Sequence, residues 1–304
     1  MHESVLLTES IKYLNLNDNS VVVDCTLGYA GHSSHILKKI KNGFLYAFDQ
    51  DKEAIKVADE RLKKISDNYE IINTNFVNLK NEINKRVNVV DGILFDLGVS
   101  SPQLDEADRG FSFHKDALLD MRMNQNQKLT AKEVVNTYPY EKLVKIFKEY
   151  GEERYATSIA RAIEKERQLK PIETTLELTE IIKNNVPEKY RRLSHPARRV
   201  FQAIRIEVND ELNVFEKALK DALDLVGING RICVITFHSL EDKICKRIFN
   251  EVSKVPDVFK DLPVVPLEYR PKYKVVANIS PSKEEINRNP RSRSARLRVI
   301  ERSY

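Results

Sequence analysis

The chain has 304 residues, with 50 Lys and Arg against 45 Asp and Glu for a net charge of +5, and 41% of its residues are hydrophobic. That apolar share is enough for one or two buried cores and excludes a largely disordered chain, while 9 glycines and 11 prolines exclude a collagen-like or low-complexity one. Length alone suggests about two domains of roughly 100–200 residues, and no repeat runs through the sequence.

The opening stretch, Met1 to Leu14, carries Glu3 and Glu9 inside its only apolar segment, so neither a signal nor a transit peptide is expected. Val21-Val22-Val23-Asp24-Cys25 is a β-branched run that ends in the turn Gly28-Tyr29-Ala30-Gly31. A helix follows from about Ser33 to Lys41, with Ile36, Leu37 and Ile40 on its apolar side. Phe44 to Asp49 is a second strand and Asp51 to Lys64 a second helix, after which Glu70-Ile71-Ile72 and Asp91 to Asp96 supply strands three and four. This βαβαβ rhythm predicts a parallel sheet with right-handed crossovers.

From about Leu104 to Leu212 the pattern turns helical, over Thr130 to Tyr150, Glu152 to Gln168, Leu176 to Asn185 and Ala197 to Leu212. The last has Val200, Ile204, Val208 and Leu212 on a core side and Arg198, Gln202, Arg205 and Asn209 on a polar stripe beside it. Strand signals return at Gly230 to Phe237, then at Lys274 to Ile279 and Ala295 to Arg302, around a polar loop from Ser280 to Ser294. The organisation expected is one α/β domain built from both ends of the chain, residues 1–104 and 213–304, with an all-helical domain, 105–212, inserted after the fourth strand. No run approaches the roughly 18 uninterrupted apolar residues of a membrane span.

Charge is uneven. From Arg270 to Tyr304 there are ten Lys and Arg and three Glu, and Lys189 to Arg205 holds six Lys and Arg and no acid. A solvated face explains one such run; two, beside a nucleotide-like site, fit a polyanion partner. Cys25, Cys233 and Cys245 are odd in number and far apart, which fits a reducing cytoplasm. The six histidines are scattered and none pairs with acids at ligand spacing, so no metal site is expected.

In open α/β sheets the ligand sits beyond the carboxyl ends of the strands, so the residues after each strand are the candidates. Strand one leads into Gly28 to Ser33, where glycine lets the backbone pass close to a ligand; Ser33 could equally cap the helix. The dinucleotide pattern of three glycines is broken by Ala30 and Ser33, which argues against NAD. Strand two ends at Asp49, an acid suited to the hydroxyls of a ribose, although capping of the next helix is open to it and to Asp51. Strand four ends in Asp96-Leu97-Gly98-Val99-Ser100-Ser101-Pro102-Gln103, across the switch point from strand one. After the next strand comes His238, a candidate substrate contact, with Ser239 and Asp242 spaced as a capping box.

These residues carry a resemblance that spans nearly the whole chain. His2 to Leu7, Gly28 to Ser33, Asp91 to Leu104, Arg109-Gly110-Phe111-Ser112-Phe113, Leu119-Asp120-Met121-Arg122-Met123 and Tyr150 to Arg154 resemble, in order, motifs of the RsmH (MraW) family. Phe201 to Arg205, Phe237 to Asp242 and Asn289 to Ser294 continue the match. The resemblance implies a Rossmann-like S-adenosylmethionine-dependent methyltransferase domain interrupted by a helical one, acting on the exocyclic N4 of a decoding-region cytosine in bacterial 16S rRNA. It implies cofactor contacts at Ala30, Gly31, His32, Asp49, Phe76, Asp96 and Gln103. Ala30 stands where many members have glycine, and its methyl is accommodated if the backbone there has negative φ.

For that reaction Asp96, or carbonyls after it, is placed to draw on the amino protons of cytosine; the residues after it are Leu97-Gly98, where many amino-group methyltransferases have two prolines. Methylation at C5 would need a cysteine nucleophile, and none follows strand four. Arg198, Arg199, Arg205, Arg291 and Arg293, with His238, are the expected contacts to 16S rRNA or the small ribosomal subunit; neither DNA nor membrane is expected as a partner. A non-catalytic RNA-binding module would explain the basic runs and leave the turn and Asp49 without a purpose.

Overall fold

The computed structural model describes residues 4–99, 107–193, 195–259 and 265–304. The chain divides into two compact units, Met1–Gly98 with Leu212–Tyr304 and Val99–Glu211. The first division lies upstream of the 104/105 boundary read from the sequence, the second beside that at 212/213.

In chain order the first unit opens with α1 (Leu7–Leu14), β1 (Val21–Asp24), α2 (Gly31–Lys39), β2 (Phe44–Asp49), α3 (Lys52–Leu62), β3 (Tyr69–Asn73), α4 (Leu79–Asn84) and β4 (Val90–Asp96). The second unit contains α5 (Ala131–Thr137), α6 (Tyr140–Glu149), α7 (Ala156–Leu169), α8 (Thr175–Asn184), α9 (Glu188–Leu193) and α10 (Ala197–Asn209). The chain returns through α11 (Glu211–Leu225), β5 (Val226–Thr236), α12 (Ser239–Ser253), β6 (Tyr273–Ile279), α13 (Lys283–Arg288) and β7 (Arg296–Arg302).

The seven strands form one sheet in the order β3-β2-β1-β4-β5-β7-β6. It is parallel from β3 to β5, and β7 runs antiparallel to both of its neighbours. Central parallel strands are covered on both faces and so need apolar side chains on both, which is why the Val21–Val23 and Phe44–Phe48 runs do not alternate with polar residues. Successive residues divide between the faces: Val22, Leu45, Ala47 and Leu94 pack with Ile36, Leu37 and Ile40, whereas Val23, Tyr46, Phe48 and Phe95 pack with Phe215, Leu219 and Ile248. Strand order reverses between β1 and β4, and that reversal opens a crevice beyond their carboxyl ends, as in Rossmann-like folds.

The second unit is helical around its own core, which includes Val134, Phe147, Ile159, Leu178 and Ile204. Its described residues contain no strand, only one bridge between Leu118 and Thr174. The single helix expected over 130–150 is two helices. Pro139 is the N-cap of α6, and Tyr138 before it is extended, as the residue preceding a proline is driven to be. The helix expected to run to Leu212 stops at Asn209, because Asp210 adopts φ 50° and ends it.

The motifs at 109–113 and 119–123 are loop fasteners in this unit. The Arg109 guanidinium donates to the carbonyls of Arg122 (3.0 Å) and Met123 (3.3 Å). Asn209 of α10 donates to the Met121 carbonyl and accepts from the Met123 amide, each at 2.8 Å. Gly110 has φ +70°, and a Cβ there would lie 2.4 Å from the Leu118 carbonyl oxygen. Gly110→Ala combines left-handed strain with overpacking, so it is expected to destabilise the protein by roughly 2–4 kcal/mol. Denaturant unfolding that leaves the midpoint unchanged would contradict this.

Candidate active site

Asp24 ends β1 almost wholly buried. A carboxylate there needs donors, and it takes them locally: the Thr26 amide at 3.0 Å and the Ser33 hydroxyl at 2.6 Å. Ser33 is thus committed to Asp24 and is not the cap of α2. The chain then turns through Gly28 (φ 48°) and Ala30 (φ 58°), both left-handed. The condition of a negative φ at Ala30 is therefore not met, and an alanine in this region carries a cost of about 1–2 kcal/mol. The turn compensates by burying Ala30 completely and by hydrogen bonds from its amide to Leu27 (2.8 Å) and to its carbonyl from Ser34 (3.0 Å). Ala30 is the N-cap of α2 and supplies no side-chain acceptor, so amides of the first turn remain open to a ligand. At Gly31 a Cβ would fall 1.8 Å from the Ser4 hydroxyl oxygen. The glycine is what lets the N-terminal segment seat on the turn.

Asp49 ends β2 and accepts from the Gly28 amide at 2.8 Å and from the Asp51 amide at 2.9 Å. It fixes the turn from the neighbouring strand. Desolvation pushes its pKa up to about 6 against those hydrogen bonds, although part of the side chain still meets solvent. The capping role left open between the two acids goes to Asp51, whose carboxylate accepts from the Glu53 amide at 3.1 Å. After β3, Phe76 opens a short 3-10 turn and meets Phe95 of β4 edge-on, with centroids 5.9 Å apart.

Asp96 ends β4. Its amide donates to the Thr26 hydroxyl at 2.7 Å, which ties β4 to the segment after β1. One carboxylate oxygen, Oδ2, lies 3.4 Å from Nδ1 of the buried His32. Among the described residues the other, Oδ1, is buried without a hydrogen-bond partner, and so is His32 Nε2. Burial works against a charged His32 ring, but Asp96 and then Asp24 outweigh it and raise its pKa; the Val5 carbonyl nearby adds to this. Burial raises the pKa of Asp24 too, opposed by Ser33 and His32.

The structure thus brings Ala30, Gly31, His32, Asp49 and Asp96 into one network at the carboxyl ends of β1, β2 and β4, with Phe76 beside β4. Gln103 lies outside the described residues. His238 is the N-cap of α12, and its Nε2 lies 3.1 Å from a Glu241 carboxylate oxygen. The capping box is therefore His238 with Glu241, not Ser239 with Asp242, whose carboxylate pairs bidentately with Arg298 at 2.7 and 2.9 Å. Arg205 is turned onto Glu211 by two hydrogen bonds of 2.8 and 2.9 Å, and Arg199 donates to the Glu152 carbonyl. Arg198, Arg291 and Arg293 are exposed. Thr26 and Ser4 escaped the sequence reading, since nothing in their spacing says what a hydroxyl reaches across the fold.

A profile of the MraW methylase family matches residues 1–303. The ribosomal RNA small subunit methyltransferase H of Exiguobacterium sibiricum is 54% identical over 305 residues, spanning 99% of this chain and 98% of its own. Among solved structures, an rRNA methylase from Streptococcus thermophilus aligns over 98% of this chain and 94% of its own, at 13% identity and a TM-score of 0.42. TrmN from Thermus thermophilus aligns over 98% of this chain and 48% of its own, at 11% identity and a TM-score of 0.43.

The Asp49 carboxyl carries its own prediction. A carbon-detected titration of the folded protein should give it a midpoint near 6, against 3.8 for an ordinary aspartate. The folded state then holds the proton more tightly, so this group's contribution to stability is full below about pH 4 and is lost as pH rises to about 6. A midpoint near 4 would refute the desolvated setting.

Proposed function

The chain belongs to the MraW methylase family, and from that premise we propose that it transfers a methyl group from S-adenosylmethionine to the exocyclic N4 of a decoding-region cytosine in bacterial 16S rRNA. Methylation of small-subunit rRNA with this donor is the family's activity; the atom and its place in the RNA are our reading. The observation that carries it is Asp96 Oδ1, a buried acceptor without a partner at the switch point.

Bound S-adenosylmethionine supplies a sulfonium methyl, which an in-line nucleophile takes as the carbon–sulfur bond breaks. The residues of this chain do the holding. Asp49, when ionised, is an acceptor for the ribose hydroxyls. The first-turn amides of Gly31 and His32, to which Ala30 offers no side-chain cap, and the His32 ring suit the carboxylate of the methionyl group. Phe76 offers an aromatic surface beside β4 for the adenine.

The N4 lone pair of cytosine is delocalised into the ring, so an acceptor on its amino hydrogens makes the nitrogen a better nucleophile. Asp96 Oδ1 is that acceptor in this reading. As the nitrogen–carbon bond forms, N4 gives up one proton, and the carboxylate is positioned to take it. The C5 alternative needs a thiolate. Cys25, Cys233 and Cys245 are all buried, and burial pushes each thiol up, so none offers one.

A base inside folded RNA must be splayed out while the backbone is held around it. The exposed Arg198, Arg291 and Arg293, together with Arg199, supply phosphate contacts in this reading. Arg205, paired with Glu211, drops out of the set.

Small ribosomal subunits lacking their modifications, supplied with methyl-labelled donor, should yield N4-methylated cytidine on nucleoside analysis; label on another atom defeats the reading. Asp96→Ala should bind the donor within about threefold of the parent yet lose roughly 10²–10⁴-fold in turnover. Loss of donor binding alone would sink the acceptor role. Replacing Arg198, Arg199, Arg291 and Arg293 with alanine should flatten the salt dependence of RNA binding by about three in log–log slope. An unchanged slope would count against those contacts.

A further inference from the structure

We propose that His32 is a positioning residue for Asp96: its Nδ1 holds one carboxylate oxygen so that the other stays available to the N4 hydrogen of the target base. The proposal rests on the methyl-transfer reading and adds to it the group that keeps the acceptor aimed.

A carboxylate on a single bond from Cα turns either oxygen toward whatever donor is near. The Asp96 backbone is fixed through Thr26, but its side chain has only His32 as a described partner. At 3.4 Å that contact is longer than the 2.7–2.9 Å usual for a charge-assisted hydrogen bond. The hydrogen bond to Asp96 and the attraction of opposite charges both favour the protonated ring. Among the described residues, the charged groups that act on His32 are Asp96 from the end of β4 and Asp24 from the end of β1. Among the described residues neither carboxylate is paired with a lysine or an arginine, so the one His32 ring faces both acids. The position in the first turn of α2 opposes a cation. The two carboxylates are what keep the ring charged there.

The ring's own place is fixed from both sides in the chain. Gly31 before it is packed under Ser4, and Ser33 after it is bonded to Asp24. When His32 loses its proton, Asp24 and Asp96 are left as two neighbouring acids without a counter-charge. Asp96 is then released from Nδ1, or one acid takes up a proton, and either event disables the acceptor. Turnover should therefore fall as pH rises through the midpoint of the ring.

Two measurements test this. The first does not depend on the reaction: in protein with isotope-labelled histidine rings, His32 should remain an imidazolium above pH 6.5, and Asp96→Asn should lower its midpoint. An unmoved midpoint overturns the pairing. The second uses His32→Asn, whose amide stands where Nδ1 was and has no proton to lose. At saturating donor and RNA, kcat should drop roughly 10–100-fold at neutral pH, the scale of a misplaced reacting group. The alkaline fall of the parent should vanish. If that fall persists unchanged in His32→Asn, or if the variant turns over like the parent, the proposal is wrong. Should His32→Asn fail to fold, the ring titration in Asp96→Asn still decides. No N4-methylated product from the parent would defeat the function reading itself, a failure distinct from an unmoved ring midpoint.

Discussion

Three aspartates end three neighbouring strands of one parallel sheet, and the first unit has to hold them there without surrounding them with cations. Lysine or arginine partners would neutralise them at the price of occupying every oxygen. The chain uses weaker donors: backbone amides for Asp49, an amide and a hydroxyl for Asp24, and a single imidazole for Asp96. Each acid keeps acceptor capacity for something else. The upward pKa shifts of Asp24 and Asp49 reflect this under-compensation. It is a poor arrangement for stability and a good one for binding a ligand rich in hydroxyl and amino groups.

The second requirement is a backbone that brings these ends together. The segment after β1 supplies it by passing through two left-handed residues and by sending Thr26 across to the Asp96 amide. That segment is itself held by both ends of the chain. Ser4 lies on Gly31, and Leu6, left-handed at φ 51°, donates its amide to the buried carboxylate of Glu285 on α13 at 2.7 Å. An acid more than two hundred residues away in sequence thus fixes the strap that packs on the turn. This explains physically why the opening motif and the cofactor-side turn belong to one constellation.

Much of this was legible in the sequence. Continuous apolar runs ending in acids gave the parallel strands, their order of appearance and the three aspartates, because period and burial are local properties of the chain. Less legible were features decided by tertiary partners. A negative φ would have accommodated the Ala30 methyl without strain, yet burial and two backbone hydrogen bonds hold Ala30 on the left-handed side. His238 displaced Ser239 as the cap of α12, because the strand ends one residue earlier and Glu241, not Asp242, turns back to the free amides of Phe237 and His238. Pro139 could have been read as a helix break from the sequence, since the proline rule alone forbids Tyr138 a helical conformation. The links through Thr26, Ser4 and Glu285 carry no spacing signature at all.

The basic runs show how charge counted along a sequence overstates charge presented at a surface. Of the cations after Arg270, Arg298 is committed to Asp242, Lys274 shares Glu301 with Arg231, and Arg302 donates to the Val226 carbonyl. These pairs lie on the antiparallel end of the sheet, where β5, β7 and β6 need their edge charges matched, and they fasten strands. Lys272, Lys283 and Arg288 are exposed, as are Arg291 and Arg293 on the turn from Pro290 to Ser294. In the helical unit the same sorting separates Arg205, held by Glu211, from the exposed Arg198. Planar bidentate guanidinium donors suit phosphate better than a diffuse excess of charge would.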